Sequence, residues 1–431
     1  MQNFYLVRWL REKSGLDPEI IDSLKYELDK RIYYYGGQFA TPYEKTDGGR
    51  RLAALKTSVR EIVLSFKSKG RTSPAGSAGT RVSSNAYFSF NKALKELGFG
   101  VSDAPWRLGR RELGDDELYF RIRRMIARLE NDDFSLLVRP EFAAEIHALE
   151  AALKKYYSKA GFSALVVPFD LPFFERLAIK IFRELGLPSF VSLHGLPGRY
   201  NAIDDNRADY LLVWGDRIKD SYARAGVPPE KIFVTGHPGY RKPAAGAPRF
   251  SLDDVLVLSK AVPGAQNTAE QILSDRGNSI LYLCSLRKAL EKAGVRRARL
   301  RLHPSESAAW YERFLGGDFF VPDNAPLTAS LARASLTIGP TSTVFLESLL
   351  AGVNYLVYEP AAGGLDLLNY PLVPPFDGSD PAVPAAADEE ALGALLASGR
   401  RADPAVLAGY IRTPFDLSFL PALLSRKRPG R

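Results

Sequence analysis

The stretch Leu336-Thr337-Ile338-Gly339-Pro340-Thr341-Ser342-Thr343-Val344-Phe345-Leu346-Glu347-Ser348-Leu349-Leu350-Ala351-Gly352 reads as strand, turn and helix in direct succession. A short apolar run ends at Gly339, and Pro340 sets a tight turn. Three hydroxyl residues, Thr341, Ser342 and Thr343, then open a helix that stops at Gly352. Ser and Thr are good helix starters, and glycine is the usual stop. A helix start offers amide groups without partners and the positive end of a dipole, so the turn suits a phosphate. In a parallel sheet such a turn lies at the carboxyl ends of the strands, where ligands bind. Glu347, one turn into the helix, is placed either to hold ribose hydroxyls or to face solvent.

The same pattern recurs on either side. Arg299-Leu300-Arg301-Leu302 is a strand, and Arg301-Leu302-His303-Pro304-Ser305 closes it with a proline exit that aims His303 at the strand ends. Tyr355 to Tyr358 is another strand, and Leu281 to Ala293 a helix. Upstream, Ala164 to Pro168, Ser189 to Leu193, Tyr210 to Trp214 and Ile232 to Thr235 are short apolar strands, with an amphipathic helix from Phe173 to Leu185. Short, doubly apolar strands alternating with helices indicate parallel sheets covered by helices. A short helix spans Asn91 to Gly98, and the first ~60 residues carry helical periodicity. A strand candidate covers Glu61 to Phe66. Lys67 to Ser84, rich in Gly, Ser, Thr and basic residues, reads as a mobile active-site loop or as disorder. The Pro- and Gly-rich segment from Pro238 to Pro248 reads as a linker, and Pro371 to Pro384 as a second connection.

Two further loops follow strands of the first half. Leu193-His194-Gly195-Leu196-Pro197-Gly198-Arg199-Tyr200 is a tight loop that lets backbone approach a ligand, and it runs on to Asp204, Asp205 and Arg207. His194 is a candidate acid or base; Asp204 and Asp205 are candidate nucleophile or base. Gly195, Gly198, Arg199, Tyr200 and Arg207 are candidate substrate contacts. The second loop, Val234-Thr235-Gly236-His237-Pro238-Gly239-Tyr240, places His237 where the two halves meet. The chain has 4 histidines, and three of them sit in such turns; His147 lies in a helix and reads as structural.

The chain-wide composition narrows the function classes. A length of 431 residues favours two or three domains. It is 46% hydrophobic and 25% charged, as in soluble globular proteins. No stretch approaches the roughly 20 apolar residues of a membrane helix, and the N-terminus shows no signal-peptide pattern. The single cysteine, Cys284, excludes an internal disulfide and a cysteine metal cluster. Together these features point to the cytoplasm. The net charge of +9 fits nucleotide or acidic-sugar substrates, an anionic surface, or compositional bias alone. Ser425 to Arg431 carries four cations and no acid behind the largely apolar stretch Phe415 to Leu424, reading as a weak anchor for an anionic membrane surface at about 1 kcal/mol per basic residue. No zinc-finger spacing, RNP-like strand or long basic helix supports nucleic-acid binding. The ligand sets of a resident metal are also missing, and no cofactor is expected.

These motifs carry a resemblance. Gly339 to Gly352 resembles the donor-phosphate helix of GT-B glycosyltransferases. Arg301-Leu302-His303-Pro304 looks like the His-Pro motif of members that use CMP-activated acidic sugars, including bacterial sialyl- and polysialyltransferases. The run from about Arg81 to Pro360 is most similar to the Kdo (3-deoxy-manno-octulosonic acid) transferases of O-antigen and capsule assembly, where a loop aspartate of the N-terminal domain carries catalysis. The acidic-acidic-Gly motif of sialyltransferases is absent. His194-Gly195 stands at the comparable strand end, as in CDP-glycerol glycerophosphotransferases, where the histidine is the base. The resemblance implies an α/β, GT-B architecture of two Rossmann-like domains with parallel sheets facing a cleft. The implied partition is 1–240 for acceptor and catalysis, 241–395 for the nucleotide sugar, and 396–431 for C-terminal helices returning to the first domain, with a basic tail. It further implies a nucleotide-sugar donor, most similar to CMP-Kdo, held by Arg301, His303, Pro304, Ser305, Gly339, Thr341, Ser342, Thr343 and Glu347. The acceptor is then a lipid-linked saccharide. Asp204 or Asp205 carries catalysis, assisted by His194 and His237. A polyol-phosphate transferase and a catalytically silent nucleotide- or lipid-binding scaffold are the alternatives.

Overall fold

The strands named above assemble into two separate parallel sheets. The computed structural model describes residues 2–33, 80–130, 137–197, 200, 207–240, 246–259, 277–304, 306–362, 365–366 and 372–425. The strand candidate Glu61 to Phe66, the loop up to residue 79 and the basic tail 426–431 lie outside the described residues. The chain opens with helices α1 (Gln2–Lys13) and α2 (Pro18–Tyr33). The first sheet takes β1 (Arg81–Ser84), β2 (Gly100–Asp103), β3 (Phe162–Val167), β4 (Ser189–Ser192), β5 (Tyr210–Val213) and β6 (Ile232–Val234) in the order β2-β1-β3-β4-β5-β6. Its helices are α3 (Phe88–Glu96), α4 (Asp116–Leu129), α5 (Pro140–Ala160), α6 (Phe173–Glu184) and α7 (Asp216–Arg224).

The second sheet takes β7 (Val255–Leu258), β8 (Ala298–Arg301), β9 (Phe320–Pro322), β10 (Leu336–Gly339), β11 (Tyr355–Tyr358) and the short edge strand β12 (Ala385–Ala386), in the order β12-β11-β10-β7-β8-β9. Helices α8 (Asn278–Lys292), α9 (Ala308–Leu315), α10 (Leu327–Arg333), α11 (Val344–Leu350) and α12 (Glu389–Ser398) accompany it. Strands β4, β7, β10 and β11 are buried along their whole length, as parallel strands covered on both faces must be. The chain reverses its winding between β1 and β3 in one sheet and between β7 and β10 in the other. Such switch points open a crevice at the carboxyl edge, which is where open α/β sheets bind ligands.

Two features position the site. The segment after α12 crosses back to the first sheet. The Arg412 amide donates to the Trp214 carbonyl at 2.7 Å and the Asp416 amide to the Thr235 carbonyl at 2.8 Å. Leu417, Leu420 and Leu423 then join the core formed by Val82, Phe90 and Phe190. The backbone passes so close that a Cβ at Gly215 would collide with the Tyr410 carbonyl carbon. The other feature corrects the sequence reading. Arg81–Ser84, assigned to the Lys67 to Ser84 loop, is the strand β1, paired with β2 and β3. It carries one apolar side chain, Val82, and buries Ser83 and Ser84; the Ser84 hydroxyl donates to Asn91 Oδ1 at 2.6 Å. That bond accommodates the buried Ser84, and one apolar residue in four leaves the strand without an apolar signal.

Candidate active site between two sheet edges

At the carboxyl edge of the second sheet, side chains and amides are largely engaged with one another. Gly339 is required by packing: a Cβ there would sit 2.5 Å from the Tyr355 hydroxyl and 2.9 Å from Leu258 Cδ1. The Tyr355 hydroxyl donates to the Pro340 carbonyl at 2.5 Å and fixes the turn. The sequence assigns the following hydroxyls and amides to phosphate; the structure divides them. The Thr341 amide donates to Glu359 Oε1 at 2.6 Å. Ser342 Oγ accepts from the Val344 amide at 3.2 Å, serving α11 as an ordinary helix start. Thr343 Oγ1 accepts from the Leu196 amide of the first half at 2.9 Å. The successive amides of Ser342 and Thr343 carry no hydrogen bond to another described residue.

His303 leaves β8 at the same carboxyl edge, with β7 between it and β10. Its amide donates to Ser259 Oγ and to Glu306 Oε2, each at 2.9 Å. The Glu306 carboxylate also accepts from the hydroxyls of Ser259 and Tyr311. Burial pushes the Glu306 carboxyl above its usual range, and these three donors oppose the shift. A buried carboxylate thus locks the exits of β7 and β8 together. The His303 ring is exposed, as is Pro304, and desolvation by the surrounding walls holds the imidazole below its ordinary pKa. Arg301 points elsewhere, and its Nη1 donates to the Ala325 carbonyl at 2.7 Å, anchoring the loop after β9. Ser305 lies outside the described residues.

The carboxyl edge of the first sheet differs. The His194 Nδ1 lies 3.0 Å from the Pro168 carbonyl, and the Phe169 ring packs on the imidazole with centroids 5.1 Å apart. A carbonyl only accepts, so Nδ1 carries the proton and Nε2 keeps its lone pair. The residue is exposed, and desolvation by the walls packed around the ring lowers its pKa, with the Pro168 bond opposing. The ring is therefore neutral near pH 7 and oriented by its own strand exit. Gly195 belongs to the contact between halves, since a Cβ there would lie 3.0 Å from Thr343 Oγ1.

His237 sits in a column of rings, stacked on Tyr240 at 3.8 Å and on Tyr87 at 5.3 Å, with the Trp214 edge at 4.8 Å. Burial pulls its pKa down to about 4. Trp214 ties the two histidines into one frame: its indole N–H donates to the Leu193 carbonyl, next to His194, at 3.0 Å. Glu347, half-buried on α11, neighbours the Tyr240 side chain, and burial pushes its carboxyl above the usual range. Glu347 thus lies toward the first half. Thr343 and Glu347, one helical turn apart, receive the two loops that carry His194 and His237.

The remaining sequence candidates separate. Asp204, Asp205, Gly198 and Arg199 lie outside the described residues. Tyr200 packs edge-on against Tyr222 of α7, with centroids 4.9 Å apart, as part of the core wall. The Arg207 amide donates to Asp170 Oδ2 at 2.8 Å, so the arginine's backbone closes the loop. His147 is exposed on α5. Sequence reasoning missed Glu306, Asp170, Trp214 and Tyr87. A carboxylate placed three residues after His303, able to turn back on its amide, was a readable signal; the aromatic column depends on strand order and was not.

Among the described residues no group of three or more His, Cys, Asp or Glu could hold a metal ion. No described helix is long and apolar enough to cross a membrane. No protein-family model matches the chain, and no curated protein matches it. Solved structures similar to it include the UDP-GlcNAc 2-epimerase of Methanocaldococcus jannaschii, at 11% identity over 80% of this chain and 98% of that one, TM-score 0.46. The Neisseria meningitidis UDP-GlcNAc 2-epimerase bound to UDP-GlcNAc is 12% identical over 80% and 99%, TM-score 0.44. Anabaena Alr3699/HepE in complex with UDP-glucose is 10% identical over 80% and 100%, TM-score 0.44. Likeness at this level says nothing of activity.

Proposed function

We propose that the chain is a metal-independent glycosyltransferase that uses a nucleotide-activated sugar. The observation that carries this reading is the contact from the Leu196 amide to Thr343 Oγ1. It brings an oriented, neutral histidine to the switch-point turn of the other sheet. The nucleotide phosphate meets the amides of Ser342 and Thr343 and the His303 ring. His194 Nε2 takes the proton of an acceptor hydroxyl as that oxygen bonds to the anomeric carbon. The bond from this carbon to the phosphate oxygen breaks, and its electrons leave on the nucleotide. A single displacement of this kind inverts the anomeric centre. The route does not call on Asp204 or Asp205.

The donor assigned from the His303-Pro304 motif is CMP-Kdo, and the acceptor a lipid-linked surface saccharide. Membrane attachment through the basic tail belongs to the same proposal. CMP, CDP, UDP and GDP tested for thermal stabilisation check the donor. A ligand present at 100 times its dissociation constant adds about 2.7 kcal/mol. Stabilisation by CMP is the expected result; stabilisation by none of the four overturns the reading. The His194 geometry equally suits a polyol-phosphate transferase, which product analysis separates by a phosphodiester in place of a glycosidic bond.

A further inference from the structure

The two histidines of the first sheet's edge are held in opposite tautomers. His194 Nδ1 faces a carbonyl and must donate. His237 Nδ1 faces the Gly239 amide at 3.1 Å and must accept, because a backbone N–H only donates. The proton of a neutral His237 therefore sits on Nε2. Protonating Nδ1 would set two N–H groups against each other, in keeping with the low pKa. Neither ring's Nε2 has a partner among the described residues; His194 is exposed and His237 half-buried. The strand exits that carry them are separated by β5, a gap of roughly 10 Å, the scale of a sugar ring with its first substituents.

We infer that His237 is a fixed neutral hydrogen-bond donor to an oxygen of the acceptor saccharide, the complement of the base His194. This rests on the transferase reading above for the identity of the ligand, and on geometry alone for the tautomer. His237 shares its sheet edge with the group that must meet the acceptor hydroxyl, whereas the nucleotide belongs to the opposite edge. Its ring cannot swivel: Tyr240 and Tyr87 hold both faces, Trp214 holds an edge, and the Gly239 amide fixes the flip state. A donor of this kind selects an oxygen acceptor and rejects an ammonium or amide N–H at that position.

Nitrogen-15 spectra of histidine-labelled protein near pH 7 test the tautomers, with H194N and H237N assigning the signals. The expected result is a pyrrole-like Nε2 at His237 and a pyridine-like Nε2 at His194. The same tautomer at both, or a charged His237, overturns the inference whether or not transfer is found. Acceptor saturation tests the ligand. Gln places its amide N–H near the position of Nε2, and Asn places it near Nδ1. H237N should raise the acceptor KM about tenfold, the scale of one lost hydrogen bond, with kcat and donor KM retained, and H237Q should recover most of it. Equal loss in both variants, or a donor KM effect, contradicts the inference. Absence of transfer in the native chain overturns the transferase reading instead, and leaves the tautomer result standing.

Discussion

The carboxyl edges of the two sheets are built to opposite rules. On the second, most side chains are paired internally while the Ser342 and Thr343 amides stay open: Glu306 gathers three donors, Glu359 holds the Thr341 amide, and Ser342 serves its own helix. On the first, His194 and His237 are each fixed through Nδ1 and leave Nε2 without a described protein partner. An edge whose side chains hold each other and leave two amides open is a preorganised cradle, because little reorganisation is needed when a charged ligand arrives. An edge that orients a ring and leaves one nitrogen unsatisfied presents reactivity. On the proposed reading, the first sheet acts on substrate and the second holds it.

Breaking the reactive edge should cost the most. H194Q removes the base while retaining a polar side chain, and transfer should fall about 10²- to 10⁴-fold with the melting temperature little changed. A large stability loss would make His194 structural. Breaking the cradle should have the reverse signature. E306L leaves the Ser259 and Tyr311 hydroxyls and the His303 amide buried without an acceptor, and should cost about 3 kcal/mol in urea unfolding. A loss below about 1 kcal/mol would mean that the carboxylate does not lock the exits of β7 and β8.

The contact between the edges is the finer test. T343V removes the acceptor of the Leu196 amide and should cost about 1 kcal/mol, read as a raised donor KM with little change in global stability. An unaltered KM would separate the two edges functionally. The smallest expected effect concerns pH. The His237 pKa is pulled from 6.5 to about 4, so between those values the unfolded chain binds a proton that the folded chain refuses. Stability thus falls as pH drops through that window. H237F should flatten this slope relative to the native chain; an equal slope in both would mean that His237 does not contribute to it.

The same contrast explains what the sequence revealed. The second sheet was legible because β10 and β11 are largely apolar and because β10 and β8 run into Gly-Pro and His-Pro turns, although Val255–Leu258 escaped notice among loop-like neighbours. The first sheet was legible from β3 onward. Its strand β1, Arg-Val-Ser-Ser, was hidden because it buries two serines beside a single apolar residue, Ser84 through a hydrogen bond to Asn91. Three histidines were singled out correctly as strand-exit residues, since a chain with so few rarely spends them in consecutive turns. Their tautomers were beyond sequence reasoning: they depend on Pro168, far from His194 in sequence, and on the backbone path at Gly239. Composition gives the hydroxyls at 341–343, but only folding shows that the Thr341 amide meets Glu359 and that Thr343 Oγ1 accepts from the Leu196 amide.

The division of labour between the edges is tested most directly by CMP release from CMP-Kdo, with and without a saccharide acceptor, in the native chain and in H194Q. Acceptor-stimulated release is predicted in the native chain, with a fall of at least about 10²-fold in H194Q and CMP still stabilising both proteins. Equal rates in the two, with CMP bound by each, would contradict it.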